Sequence, residues 1–179
     1  MAAPPDVVER VLAWIKVDFA PTHRQPQWWR VAVATVLAVG LSLAACAALV
    51  ACGEHVWPAT KGFVHFAFSD YAKLTILGVL VACAGWPIVT RISSAPRWLF
   101  FRLAILVTLV LWLPDVWIWM RGESARGVAV LAVMHLAIAL ITYNVLVHVA
   151  PVRAARGARG SYAVAGVNQV GETSEAAGS

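Results

Sequence analysis

Two ionisable residues stand inside otherwise apolar sequence: Asp115, in Leu111-Trp-Leu-Pro-Asp-Val-Trp-Ile-Trp-Met120, and His135, in Met134-His-Leu136. A carboxylate kept among apolar residues needs a cation, a proton, hydrogen-bond donors or water, because losing its hydration is costly. Asp115 directly follows Pro114, whose missing amide frees the carbonyl of Val110. If the two segments are antiparallel helices, His135 lies about 12 Å and Asp115 about 6–8 Å below the same surface, at 1.5 Å of rise per residue. Side-chain reach closes that gap, and a His–Asp pair would satisfy both groups and hold the imidazole in one tautomer. Such a pair serves as an interhelical hydrogen bond that fixes packing, as a ligand, proton or ion site, or as a contact to another chain.

Further polar residues gather near the same surface. Asp70 and Lys73 are one turn apart on a helix and suited to an i,i+3 ion pair, with His65 one to two turns away. With Glu54, His55 and Asp115 they would line a polar outer vestibule. No metal site is expected, because the histidines and carboxylates are loosely spaced and differ in depth. Cys46, Cys52 and Cys83 form no Cys-x-x-Cys pair, and Cys46 and Cys83 read as small apolar fillers. There is no glycine-rich phosphate loop, no His-Glu-x-x-His and no Gly-x-Ser-x-Gly. The sequence therefore indicates no catalytic residues and no cofactor, and the protein is expected not to be an enzyme.

The elements that must carry these residues are membrane helices. Of 179 residues, 61% are hydrophobic and 13% charged, against about 45–50% and about 25% in soluble domains, an excess that a chain of this size cannot hide from water. Val31 to Gly53 holds no charge at all, longer than the roughly 20 residues that cross a hydrocarbon core. Four spans follow from this pattern, at about Val31–Cys52, Leu74–Thr90, Trp98–Trp119 and Gly127–Val149. The second is short, and Gly62-Phe-Val-His-Phe-Ala-Phe-Ser69 either extends it outward or lies along the interface. The fold class is thus all-α: a polytopic membrane protein of four transmembrane helices, in residues 31–150. Residues 1–30 form an amino-terminal segment, and residues 151–179 a basic and then disordered tail. No cleaved signal peptide is expected.

Charge gives the orientation. Ten Lys and Arg fall before span 1, between spans 2 and 3, and after span 4, against four in the other two loops. Basic loops stay inside, so both termini should be cytoplasmic in a bacterial plasma membrane. Asp6-Val-Val-Glu-Arg-Val-Leu-Ala-Trp-Ile-Lys-Val-Asp-Phe19 places Val8, Val11, Leu12, Ile15 and Phe19 on one face, the pattern of an amphipathic helix lying on the cytoplasmic leaflet. Arg91, Arg97, Arg102, Arg153 and Arg156 sit where lipid headgroups are contacted, with Arg102 snorkelling from inside span 3. Anionic lipid fits this rim better than nucleic acid does. Span 1 carries two stripes of small residues, Ala34, Ala38, Ser42, Cys46 and Gly40, Ala44, Ala48, Cys52, so it can pack on two neighbours, one of them from another chain. Pro87 should kink or end span 2.

Gly85-Trp86, Leu113-Pro114-Asp115 and Met134-His135-Leu136 together resemble a family of small four-span actinobacterial membrane proteins of uncharacterised function. The likeness covers roughly residues 30–150 and implies the same four-helix layout, with no activity to carry onto any residue. The functional class expected from the residues is a non-enzymatic accessory, assembly or scaffolding subunit of a plasma-membrane complex. Its partners would be membrane lipids and a second copy or other integral membrane proteins. The alternative is a small transporter, channel or lipid-binding protein that uses the polar site in the outer half of the bundle.

Overall fold

The computed structural model describes residues 7–17 and 23–154. Its elements are helices α1 (Val7–Ile15), α2 (Trp28–Val56), α3 (Phe68–Ile92), α4 (Pro96–Met120) and α5 (Ala125–Val149), with two short strands, β1 (His23–Arg24) and β2 (Arg153–Ala154). Four helices, α2 to α5, are long and apolar enough to cross a membrane. At 1.5 Å per residue, the 25 residues of α3, α4 and α5 each reach about 37 Å, and the 29 of α2 reach about 44 Å, more than the roughly 30 Å hydrocarbon core.

The distribution of side-chain sizes shows which solvent surrounds the bundle. Ala34, Ala38, Ser42, Cys46 and Gly53 of α2 are buried, whereas Val36, Leu37 and Leu41 of the same helix face outward. Leu74, Leu77, Val81 and Ile88 on α3, and Leu106, Leu109 and Leu113 on α4, are exposed as well. Small residues inside and large apolar residues outside would be ruinous in water. In lipid the outer face is at home, and small inner residues let helix backbones approach closely. The chain is accordingly a multi-pass membrane protein.

Each spanning helix packs on its chain neighbour, and α5 closes the bundle by packing on α2, its most extensive partner, while also touching α3. The approach of α2 to α5 is tightest at Gly53, where an added Cβ would meet Val130 Cγ2 at 2.9 Å. One buried cluster, near the start of α2 and the end of α5, joins Trp86, Val89, Phe100, Leu146 and Ala150. A second, at the opposite end, joins Cys46, Phe66, Tyr71, Val130 and Met134. Trp86 is fully buried, its ring edge-on to Phe100, and its indole N–H donates to the Ala150 carbonyl at 3.0 Å, one of those left open where α5 ends.

The helix ends depart from the sequence reading in informative places. Pro87 does not end span 2: α3 runs on through Arg91 to Ile92. Residues 62–67 are not a helical extension, since a separate 3₁₀ turn covers Val64–Phe66 and α3 begins at Phe68. Phe63 from this stretch lies over Gly127, where a Cβ would stand 3.1 Å from the ring, so the turn roofs the start of α5. The α4–α5 turn relies on Gly122, whose φ of +93° suits glycine.

The amino-terminal segment is stitched to the same side of the bundle as the end of α5. β1 pairs antiparallel with β2, His23 opposite Ala154 and Arg24 opposite Arg153, a ribbon absent from the sequence reading. A bond from the Val17 amide to the Leu12 carbonyl closes α1, with Lys16 in the left-handed region at φ +59°. The Lys16 carbonyl then accepts from Ser93 Oγ at 2.6 Å, and Val17 bridges Ser93. The start of α2, the α3–α4 link and the end of α5 therefore share one side, here the ribbon side. On α1 itself Val7, Val8 and Val11 are exposed, an apolar face of the kind an interfacial helix presents, while Trp14, also largely exposed, meets Arg102 of α4 with one side of its ring. Asp6, Asp18, Phe19, Arg156 and the tail beyond residue 154 lie outside the described residues.

Candidate functional site

Pro114 lies inside α4 and the helix continues past it, so Asp115 is delivered from a turn that has lost a backbone donor. Asp115 points inward, with 5% of its surface exposed. His135 reaches it from α5, and His135 Nδ1 lies 3.0 Å from Asp115 Oδ2. The approach is off the line of a well-directed hydrogen bond, so both atoms are buried with polar capacity unspent. One turn before Asp115, Trp112 donates its indole N–H to the Ala132 carbonyl at 3.1 Å and fixes the register of α4 against α5.

Beside the pair a cavity of about 320 Å³ opens between α4 and α5, in the halves next to the turn that joins them. Trp112, Trp119, Val128 and Ala132 form its apolar walls, and Asp115 contributes its carboxyl group. The volume sits at the low end of small-molecule pockets. Chemically, the arrangement can hold a proton or accept a donor from a small group entering between the indoles.

The remaining vestibule residues do not converge on this pair. Asp70 and Lys73 are both exposed, and no ion pair joins them. Asp70 instead accepts from the Ser69 hydroxyl at 3.3 Å. His65 packs edge-on against Phe63, with ring centres 5.3 Å apart. Among the described residues, no three of His, Cys, Asp and Glu come together as metal ligands.

The basic residues separate into distinct environments. Arg91 and Arg97 are exposed on the ribbon side. Arg102 does not simply snorkel: its guanidinium lies between two indoles, 3.2 Å from the Trp98 ring centre and 4.2 Å from that of Trp14. This contact pins α1 over the start of α4. Arg153 pairs in the ribbon and lines a second cavity with Arg24 and Arg30. Sequence reasoning counted Arg24 and Arg30 only as inside charges. The further signals in the sequence are Gln25-Pro26-Gln27, which separates Arg24 from the start of α2, and Trp28-Trp29, which precede Arg30 in its first turn.

No family model matches this sequence, and neither a curated protein nor a solved structure shows similarity to it. The fold defines the class: an all-α membrane protein with four spanning helices, preceded by a short amino-terminal helix.

Proposed function

We propose that the protein is a non-enzymatic accessory or assembly subunit of a bacterial plasma-membrane complex, with the ribbon side in the cytoplasm. The observation that carries this reading is the second small-residue stripe of α2. Ala34, Ala38, Ser42 and Cys46 are consumed by packing within the chain, but Gly40, Ala44, Ala48 and Cys52 all remain uncovered. Nothing stands within 4 Å of a Cβ placed at Gly40. In lipid a shallow groove of this kind favours another helix, whose backbone gains close van der Waals contact there. The orientation rests on charge. Among the described residues the ribbon side holds Arg10, Lys16, Arg24, Arg30, Arg91, Arg97, Arg102 and Arg153, against Lys61, Lys73, Arg121 and Arg126 on the other.

A photoreactive residue at Ala44 or Ala48 tests the reading at native abundance. It should give a protein adduct, with a second copy or another membrane protein, whereas the same probe at Leu77 should give lipid adducts alone. Lipid adducts at every position would refute it. A second reading, a small transporter or lipid-binding protein, is favoured by the cavity at Asp115 alone. It requires Asp115→Asn to abolish flux or ligand binding in a protein that still folds.

A further inference from the structure

The cavity on the ribbon side is of a different kind from the one at Asp115. It has a volume of about 300 Å³ and is lined by Arg24, Arg30 and Arg153, with Gln25, Gln27 and Pro151 completing the wall. Three guanidinium groups share it with no carboxylate in the lining. Like charges gathered in one pocket repel each other, and an occupant of opposite charge removes that repulsion. The Arg30 Nε–H is buried and has no hydrogen-bond partner, although the guanidinium stands 5.2 Å from the Trp29 ring centre. A buried donor without an acceptor is costly, and an anion in the cavity would supply one.

Two further features point the same way. The pocket adjoins the amino end of α2, where Gln27 makes no side-chain cap, so the positive end of the helix dipole lies beside it. Trp28 and Trp29 beside it are 81% and 47% exposed, as indoles are at the level of lipid headgroups. Among the described residues of the ribbon side, Glu9 is the one acidic residue.

We propose that Arg24, Arg30 and Arg153 form a phosphate-binding pocket at the membrane surface, whose occupant is the phosphate of an anionic lipid headgroup or a free phosphate. Arginine suits this task because its planar donor fork matches phosphate oxygens. The ribbon serves to bring Arg24 and Arg153, from opposite ends of the membrane domain, to one anion. The site stands independently of the accessory-subunit reading.

The test uses the full chain in mild detergent, titrated with phosphatidylglycerol, phosphatidylcholine or inorganic phosphate, with bound species read by native mass spectrometry. Phosphatidylglycerol should be retained over phosphatidylcholine, and the double variant Arg30→Gln, Arg153→Gln should lose that retention by roughly 25-fold, about five-fold per arginine. Arg30→Lys with Arg153→Lys should lose less, because the charge remains and only the planar fork is gone. Saturable binding of inorganic phosphate, lost in the same Gln variant and not exceeded by phosphatidylglycerol, would support the pocket and assign it to a soluble phosphate. Unchanged retention in the Gln variant would overturn the proposal. So would an equal loss in Arg121→Gln with Arg126→Gln on the opposite side.

Discussion

Removing His135 leaves Asp115 with no cation, and the expected cost separates two states of the pair. The Asp115 side chain is 7% exposed and that of His135 25%, so the carboxylate gets little help from water. Interhelical hydrogen bonds in membranes average about 0.6 kcal/mol and reach about 1.7. Breaking a buried ion pair by deleting one partner costs about 3–5 kcal/mol, because an uncompensated charge remains. The first value applies to a neutral contact and the second to an ion pair, the state taken here, which forms when the imidazole carries a proton. We therefore expect His135→Leu to cost about 3 kcal/mol and Asp115→Asn about 1 kcal/mol, since the partner left alone in the second case is the imidazole, 25% exposed against 7% for the carboxylate and so better served by solvent. The double variant Asp115→Leu, His135→Leu should lie within about 1 kcal/mol of the parent, because an apolar pair of similar size replaces the buried ions. Reversible unfolding in mixed micelles or by steric trapping in bicelles measures all three. Additive effects, or a His135→Leu cost no larger than that of Asp115→Asn, would refute an electrostatic pair and leave a packing contact.

Other perturbations are sharp enough to measure in the same way. Trp86→Phe should cost about 1–3 kcal/mol, because it orphans the buried Ala150 carbonyl. A loss below about 0.5 kcal/mol would mean that this bond contributes little. Gly53→Ala, with its Cβ driven against Val130, should destabilise the bundle by about 1–3 kcal/mol, whereas Gly40→Ala should leave intrachain stability nearly unchanged. Ser42 and Thr142 bury hydroxyls that have no partner, so Ser42→Ala and Thr142→Val should be neutral or stabilising by up to about 1 kcal/mol. A clear loss would reveal a bound water or another chain. In a Cys52→Ser background, an impermeant thiol reagent on intact cells should label Ser124→Cys but not Ser94→Cys. Both positions are exposed on opposite sides of the bundle, and reversed labelling would invert the orientation.

The four spans were legible because lipid imposes one rule on every residue: long uncharged stretches must satisfy their own backbone, which a helix does. Helix ends were less so. The start of α3 at Phe68 includes Ser69, Asp70 and Lys73, which hydropathy counts as outside, yet its backbone bonds continue through them until the chain turns extended at Ala67. Pro87 read as a kink or an end, and the helix continues because the packing of Trp86 and Val89 against neighbouring helices holds the turns on both sides of it. The Asp115–His135 meeting was legible from depth alone, because antiparallel neighbours share a common scale. The Arg24–Arg30–Arg153 pocket was not, since it depends on a pairing between two strands of two residues that carry no periodicity. The Thr90 hub was equally hidden: its carbonyl, open at the end of α3, accepts from His23 Nε2 at 2.8 Å and Gln25 Nε2 at 3.1 Å.

The pairing of Arg24 with Arg153 also has a consequence for biosynthesis. β1 precedes all four spanning helices and β2 follows them, so the ribbon cannot zip until the four crossings have been threaded. A chain interrupted before Arg153 would leave His23 and Arg24 without their ladder. Threading of the four crossings is thereby recorded as a pairing between two short strands.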